Sequence, residues 1–110
     1  MSKGQKFDQD KPRWDLLQWD EVESVVRVLS NGSKKYADDN WKLVPEPRRR
    51  YFAAMLRHIT AWLRGEKYDK EDNEHHLAHA ICCALFLMWF DNKERSNYVC
   101  RSEKRRAGQV

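Results

Sequence analysis

Glycine, proline and cysteine are all scarce here, with four, three and three copies respectively in 110 residues. Each shortage excludes something. No G-x-G-x-x-G and no G-x-x-x-x-G-K-[ST] occurs, so neither a dinucleotide-binding turn nor a P-loop is available. The cysteines are odd in number and lack a C-x-x-C pair, which rules out a disulfide framework and the usual zinc-finger spacing. Cys82 and Cys83 lie inside the longest apolar run, Ala80 to Phe90 (AICCALFLMWF). That run is too short to cross a bilayer, which takes ~20 residues. The opening MSKGQKFDQDKPRW is polar and shows no charged-then-apolar signal pattern. Period-two alternation, the mark of strands, is missing as well. The expectation is one cytoplasmic, all-α domain without a membrane segment.

What is present is helical periodicity. Asp20 with Glu23 forms a capping-box pattern, Val22, Val25, Val26 and Leu29 follow at helical spacing, and Asn31-Gly32 offers a left-handed stop. Before it, Phe7, Trp14, Leu16 and Leu17 suggest an extended arm packed on the body. Pro47 suits the first turn of a second helix that Gly65 ends. Its apolar residues fall in two stripes: Tyr51, Ala54, Met55, His58, Ala61 and Trp62 in one, Phe52, Ile59 and Leu63 in the other. Two stripes imply two neighbours. A third helix is expected from Asp72 or Asn73 to about Asp91, apolar all round after His79. The architecture predicted is three to four antiparallel helices, completed by oligomerisation into a dimer or tetramer. Residues 1–92 form the helical domain. Residues 93–110 read as a basic, flexible tail, holding most of the chain's net charge of +4.

The chemistry concentrates in GEKYDKEDNEHHLAHA, Gly65 to Ala80. Glu66, Asp69, Glu71, Asp72 and Glu74 crowd together with three of the four histidines, His75, His76 and His79. Carboxylates near a helix start, with imidazoles one turn in, suit a divalent cation. The ordinary alternative is a set of acids complementing a helix dipole. A zinc line of His75, His79 and Cys83 has the right helical spacing but lacks a fourth ligand. Arg57 and His58 sit among apolar residues of the second helix, where the arginine serves either a structural ion pair or a phosphate. The loop between the first two helices carries Lys35, Tyr36, Asn40 and Trp41, the parts of a nucleotide pocket: a cation, aromatics and an amide.

Four stretches, taken together and in order, resemble a known phage-borne family. They are D-K-P-x-W-x-L-L (Asp10 to Leu17), N-G-S-K-K-Y-x-x-x-N-W (Asn31 to Trp41), R-H-x-x-A-W-x-x-G-E-x-x-D-x-E (Arg57 to Glu71) and H-L-A-H-A (His76 to Ala80). The family is the dATP/dGTP diphosphohydrolase N-terminal domain, similar in turn to the all-α, MazG-like nucleotide pyrophosphohydrolases. The resemblance implies Mg²⁺-dependent hydrolysis of a purine (deoxy)nucleoside triphosphate to monophosphate and pyrophosphate, in the host cytoplasm. It implies Glu66, Asp69 and Glu71 on the metal, and Arg57, His76 and His79 in catalysis. Lys35, Tyr36, Asn40, Trp41 and His58 would hold the substrate. Where family members carry glycine two residues after the glutamate of D-x-E, this chain has Asn73. The superfamily's E-E-x-x-E is not at its usual separation from E-x-x-D. Two other readings stand beside this one: a non-catalytic phage binder that sequesters a nucleotide or nucleotide-derived defence signal, and a nucleic-acid-binding module resting on PRRRY and the basic tail.

Overall fold

The computed structural model describes the backbone of residues 3–107 and the side chains of residues 3–94. It is all-α. Three helices, α1 (Trp19–Lys35), α2 (Pro47–Leu63) and α3 (His76–Ala107), follow a 3₁₀ turn at Trp14–Leu16, and a second 3₁₀ turn at Asn40–Leu43 lies between α1 and α2. Among the described residues no helix is long and apolar enough to cross a membrane.

The third helix is the common partner, for α1 and α2 each pack on it. Val25 of α1 meets Ala78 and Cys82 in the buried centre, with Val28 and Phe86 against them. Small residues on α3 allow this close approach, and the Cys82 thiol lies 3.6 Å from the Val25 carbonyl. Burial pushes Cys82 up to about 12 and Cys83 up to about 11, so both thiols stay protonated and pack as small apolar groups. α2 runs antiparallel to α3. Arg48 at its start pairs with Asp91 (2.6 Å) and Glu94, while His58 near its end meets His76 and His79.

Several element boundaries differ from expectation. α1 begins at Trp19 with Gln18 at the cap and no side-chain cap bond, so Asp20 is a first-turn acid and not the capping residue. Asn31-Gly32 does not stop α1. The helix continues to Lys35, where Lys34 and Lys35 complement the negative end of its dipole and the Tyr36 N–H donates to the Gly32 carbonyl. The N-terminal arm is not packed: Phe7 is 82% and Trp14 70% exposed. α3 starts at His76, because the acidic run before it folds into a closed loop. It also overruns the expected end near Asp91, its backbone staying helical through Ala107, so the 92/93 boundary falls inside α3. Residues 108–110 of the tail lie outside the described residues.

The connection from α2 to α3 is built from two turn devices. At the end of α2 the Glu66 N–H donates to the Ala61 carbonyl and the Gly65 N–H to the Trp62 carbonyl, the paired bonds of a Schellman motif. Gly65 takes the left-handed conformation this requires, at φ 104°. The chain then returns on itself. Tyr68 pairs with His75, the Asp69 N–H donates to the Glu74 carbonyl and the His76 N–H to the Lys67 carbonyl. Asn73 turns the tip at φ 58°, a conformation that asparagine tolerates better than most residues with a side chain. Position 73 is thus one that favours glycine.

Gly65→Ala should lower unfolding free energy by about 1–2 kcal/mol, since a Cβ strains a left-handed residue. Asn73→Gly should stay within about 0.5 kcal/mol of the parent and Asn73→Ala should lose about 1 kcal/mol. Urea melts of the three variants check this. Equal effects of Gly and Ala at position 73 would contradict the assigned turn.

Candidate functional site

A cleft of ≈ 1380 Å³ opens between the C-terminal end of α1, the loop after it and α2, with α3 and the acidic loop as its floor. The resemblance's residues Lys35, Tyr36, Asn40, Trp41, Arg57, His58, Asp69, Glu71 and His79 all line it. Two do not. His76 is buried beneath the cleft at 5% exposure, and Glu66 lines a smaller hollow of ≈ 480 Å³ on the other side of Arg57.

The floor is the most ordered part. Asp69 and Asp72 each use Oδ1 to accept a backbone N–H two residues on, from Glu71 (2.8 Å) and Glu74 (3.0 Å). Such Asx turns are why this acidic run folds as a loop and does not open α3. With Oδ1 so occupied, Asp69 Oδ2 faces His58 Nδ1 at 3.7 Å and His79 Nε2 at 4.0 Å. His58, Asp69 and His79 offer one ligand atom each, all within 4.8 Å of one another. The His58 and His79 rings stack at 4.5 Å, nearly parallel. Asp72 holds His79 Nε2 at 2.9 Å. Burial raises the Asp72 carboxyl, but the Glu74 N–H and His79 outweigh it and leave the group below its ordinary value.

Behind this layer, His58 Nδ1 and His76 Nδ1 lie 2.9 Å apart. One ring must donate and the other accept, so both cannot be protonated there. Burial, and next the charge of His79, drive His58 down to about 4 against the opposing pull of Asp69. It is therefore neutral near pH 7. His76 Nε2 is buried without a hydrogen bond, 3.4 Å from a Glu66 carboxylate oxygen.

Of the three carboxylates implied as metal ligands, Asp69 alone faces both His58 and His79. Glu71 pairs with Lys35 at 2.5 Å, and Glu66 turns toward His76. Mg²⁺ prefers a shell of oxygens. The group assembled here, two imidazoles and a carboxylate, does not fit that ion. The zinc line of His75, His79 and Cys83 is also not formed. His75 Nδ1 accepts the Leu77 N–H at the start of α3, and Cys83 is a buried, protonated thiol.

The upper walls carry the cations Lys35, Arg49, Arg50 and Arg57. Arg49 is paired with Glu46, as Arg27 and Arg48 outside the cleft are with Glu74 and Asp91. Arg57 is exposed and, among the described residues, pairs with no carboxylate, so the structural ion pair considered for it is not formed. Arg50 lies on the same face of α2, seven residues earlier, and also lines the cleft. That spacing was the available signal for Arg50; for Asp72 there was none, since its reach to His79 depends on the loop's closure. Trp41, expected as a free aromatic of the nucleotide pocket, is engaged within the fold. It is half-buried, stacked on Phe86 at 4.3 Å and edge-on to Trp89, and its carbonyl accepts the Tyr51 hydroxyl at 2.8 Å. Tyr36, 63% exposed, is the aromatic with an open face.

Trp41 therefore anchors the cleft loop onto α3. Trp41→Ala should cost about 3 kcal/mol of stability, toward the low end for truncating a large aromatic because the ring is half-buried. Tyr36→Ala should leave stability within about 0.5 kcal/mol. Thermal melts of both variants decide this, and a stable Trp41→Ala protein would show that the stack carries little.

A family model described as dATP/dGTP diphosphohydrolase, N-terminal, matches residues 1–98. A protein of Salmonella phage PMBT28 named dATP/dGTP diphosphohydrolase is 35% identical over 89 residues, which cover 81% of this chain and 30% of that relative. The chain thus spans less than a third of that relative's length. No solved structure matches. With the family model covering the three-helix core and the whole cleft, the chain belongs to the dATP/dGTP diphosphohydrolase N-terminal domain family.

Proposed function

We propose that the cleft binds a purine deoxynucleoside triphosphate and supports its hydrolysis to monophosphate and pyrophosphate. The observation that carries this is the pairing pattern of the arginines. Arg57 has no carboxylate partner among the described residues, and it faces a cleft whose floor holds the histidine–aspartate group. An exposed guanidinium beside a concave site suits the planar oxygens of a phosphate. Arg50 and Lys35 add positive charge on either side of it. Tyr36 and Asn40 are placed for the base. At the floor, a water held between Asp69 and His79 would attack the α-phosphorus, with Asp72 fixing the His79 ring. His76 positions His58 from behind. No step is assigned to Mg²⁺.

Pyrophosphate release from dGTP and dATP tests the reading. Arg57→Ala should lower kcat/KM by about 100-fold or more, the loss typical of removing one donor to developing charge. Lys35→Ala should lower it less, since Glu71 already neutralises that lysine. Unchanged hydrolysis by Arg57→Ala would overturn the assignment. A second reading is favoured by the engagement of Glu66 and Glu71 away from Asp69: a non-catalytic binder of a nucleotide or nucleotide-derived signal. It would show dGTP binding without pyrophosphate, lost in Arg57→Ala and retained in Asp69→Asn.

We also propose that the working unit is a homo-oligomer. The support is a pair of apolar stripes at helical spacing that stay exposed among the described residues: Phe52, Leu56, Ile59 and Leu63 on α2, and Ile81, Leu85 and Met88 on α3. Leu63 is 73% and Met88 59% exposed. Sedimentation at micromolar concentration should give a dimer or larger species, and Leu63→Glu or Met88→Glu should shift it toward monomer. A monomeric parent chain would remove this proposal and leave the hydrolysis reading standing.

A further inference from the structure

We propose that His58, Asp69 and His79 form a binding site for a borderline first-row divalent cation, of the Zn²⁺ and Co²⁺ kind. The three come from α2, the connecting loop and α3, yet their ligand atoms converge to within 4.8 Å. Donors on a tetrahedral zinc lie about 3.3 Å from one another, given metal–ligand bonds near 2.0–2.1 Å. Asp69 Oδ2 stands 3.7 Å from His58 Nδ1 and 4.0 Å from His79 Nε2, and all three ligand atoms lie within 4.8 Å, so side-chain movements of about 1 Å close the set. Imidazole nitrogen with one carboxylate oxygen suits zinc, cobalt or copper better than magnesium.

The neighbouring groups contact these same nitrogens: Asp72 lies 2.9 Å from His79 Nε2 and buried His76 lies 2.9 Å from His58 Nδ1, so an ion bound there takes the place of the proton that each contact shares. The Glu71 N–H fixes Asp69 by its other oxygen. Three protein ligands leave a coordination position facing the cleft, as in zinc sites that do chemistry. The assignment stands apart from the nucleotide reading, because it needs only these side chains.

Calorimetric titration of the chelator-stripped chain with Zn²⁺, in a Cys100→Ser background so that this thiol cannot contribute, should show one ion per chain. Co²⁺ should give the intense visible bands of four- or five-coordination. His58→Ala and His79→Ala should each weaken binding by more than the roughly 10- to 100-fold that losing an outer partner costs, and Asp72→Asn by less than either. His75→Ala, which removes a helix cap outside the group, should bind as the parent does. Should the histidine variants fail to fold, ring-nitrogen NMR of the parent decides. Zn²⁺ should shift the His58 and His79 resonances and leave those of His75 in place. Absence of saturable Zn²⁺ and Co²⁺ binding, parent-like affinity in both histidine variants, or shifts confined to other histidines would overturn the site. Arg57→Ala leaves Zn²⁺ affinity unchanged while lowering dGTP affinity, so failure of one assignment is distinguishable from failure of the other.

Discussion

Two side-chain-to-backbone hydrogen bonds, from Asp69 to the Glu71 N–H and from Asp72 to the Glu74 N–H, hold together the part of the molecule where its chemistry sits. Without them five acidic residues would share a short segment with nothing but mutual repulsion to shape it. With them, the backbone closes into a loop and one oxygen of each aspartate is committed. The remaining oxygens then point at imidazoles, not at water or each other. The same closure delays α3 until His76, which sets the register by which His79 faces the cleft and His76 lies beneath it. A shift of one residue would turn both rings by about 100° around the helix.

The sites of legibility follow from this. Helical spacing in α2 needs no knowledge of neighbours, so Pro47 and Gly65 bracket it correctly. Gly65 is readable because the Schellman turn demands a left-handed residue. Asn73 is readable only in retrospect, as a position where glycine or asparagine is favoured. The capping box at Asp20 and the stop at Asn31-Gly32 mislead for one reason: local signals are worth about a kilocalorie each, and packing of Val25 and Val28 on α3 outweighs them. Trp41 illustrates a different failure. An aromatic in a polar loop looks like a ligand-stacking group until Phe86, 45 residues away, is seen to occupy its face.

The candidate site divides the same way. Residue types and motif order are enough to name Lys35, Tyr36, Asn40, Arg57, His58, Asp69 and His79, and one cleft collects them all. Spacing alone could not sort the carboxylates. Glu66, Asp69 and Glu71 look equivalent along the chain, but the Schellman turn sends Glu66 to the far side of Arg57 while the Asx turn directs Glu71 outward to Lys35. Which acid meets the histidines is decided by turns three to five residues long, and turn type is where sequence reasoning is weakest.

Charge is segregated within the cleft, and that segregation has a consequence. The upper walls carry guanidinium and ammonium groups near solvent, where a phosphate chain meets them without full desolvation and salt screens their pull. The floor carries neutral or partly neutralised groups in a drier setting, where a neutral ring costs less to bury than a charged one. Burial empties His58 of its proton, and its ring stacks on that of His79 at 4.5 Å. Two protonated rings at that distance would repel strongly, so the floor favours one positive charge there at most unless an added anion is present. A divalent cation resolves the same conflict by replacing the shared proton, giving both rings and Asp69 one centre to face. The geometry of the floor thus suits either a proton or a metal ion, while the walls suit the anion that either would attract.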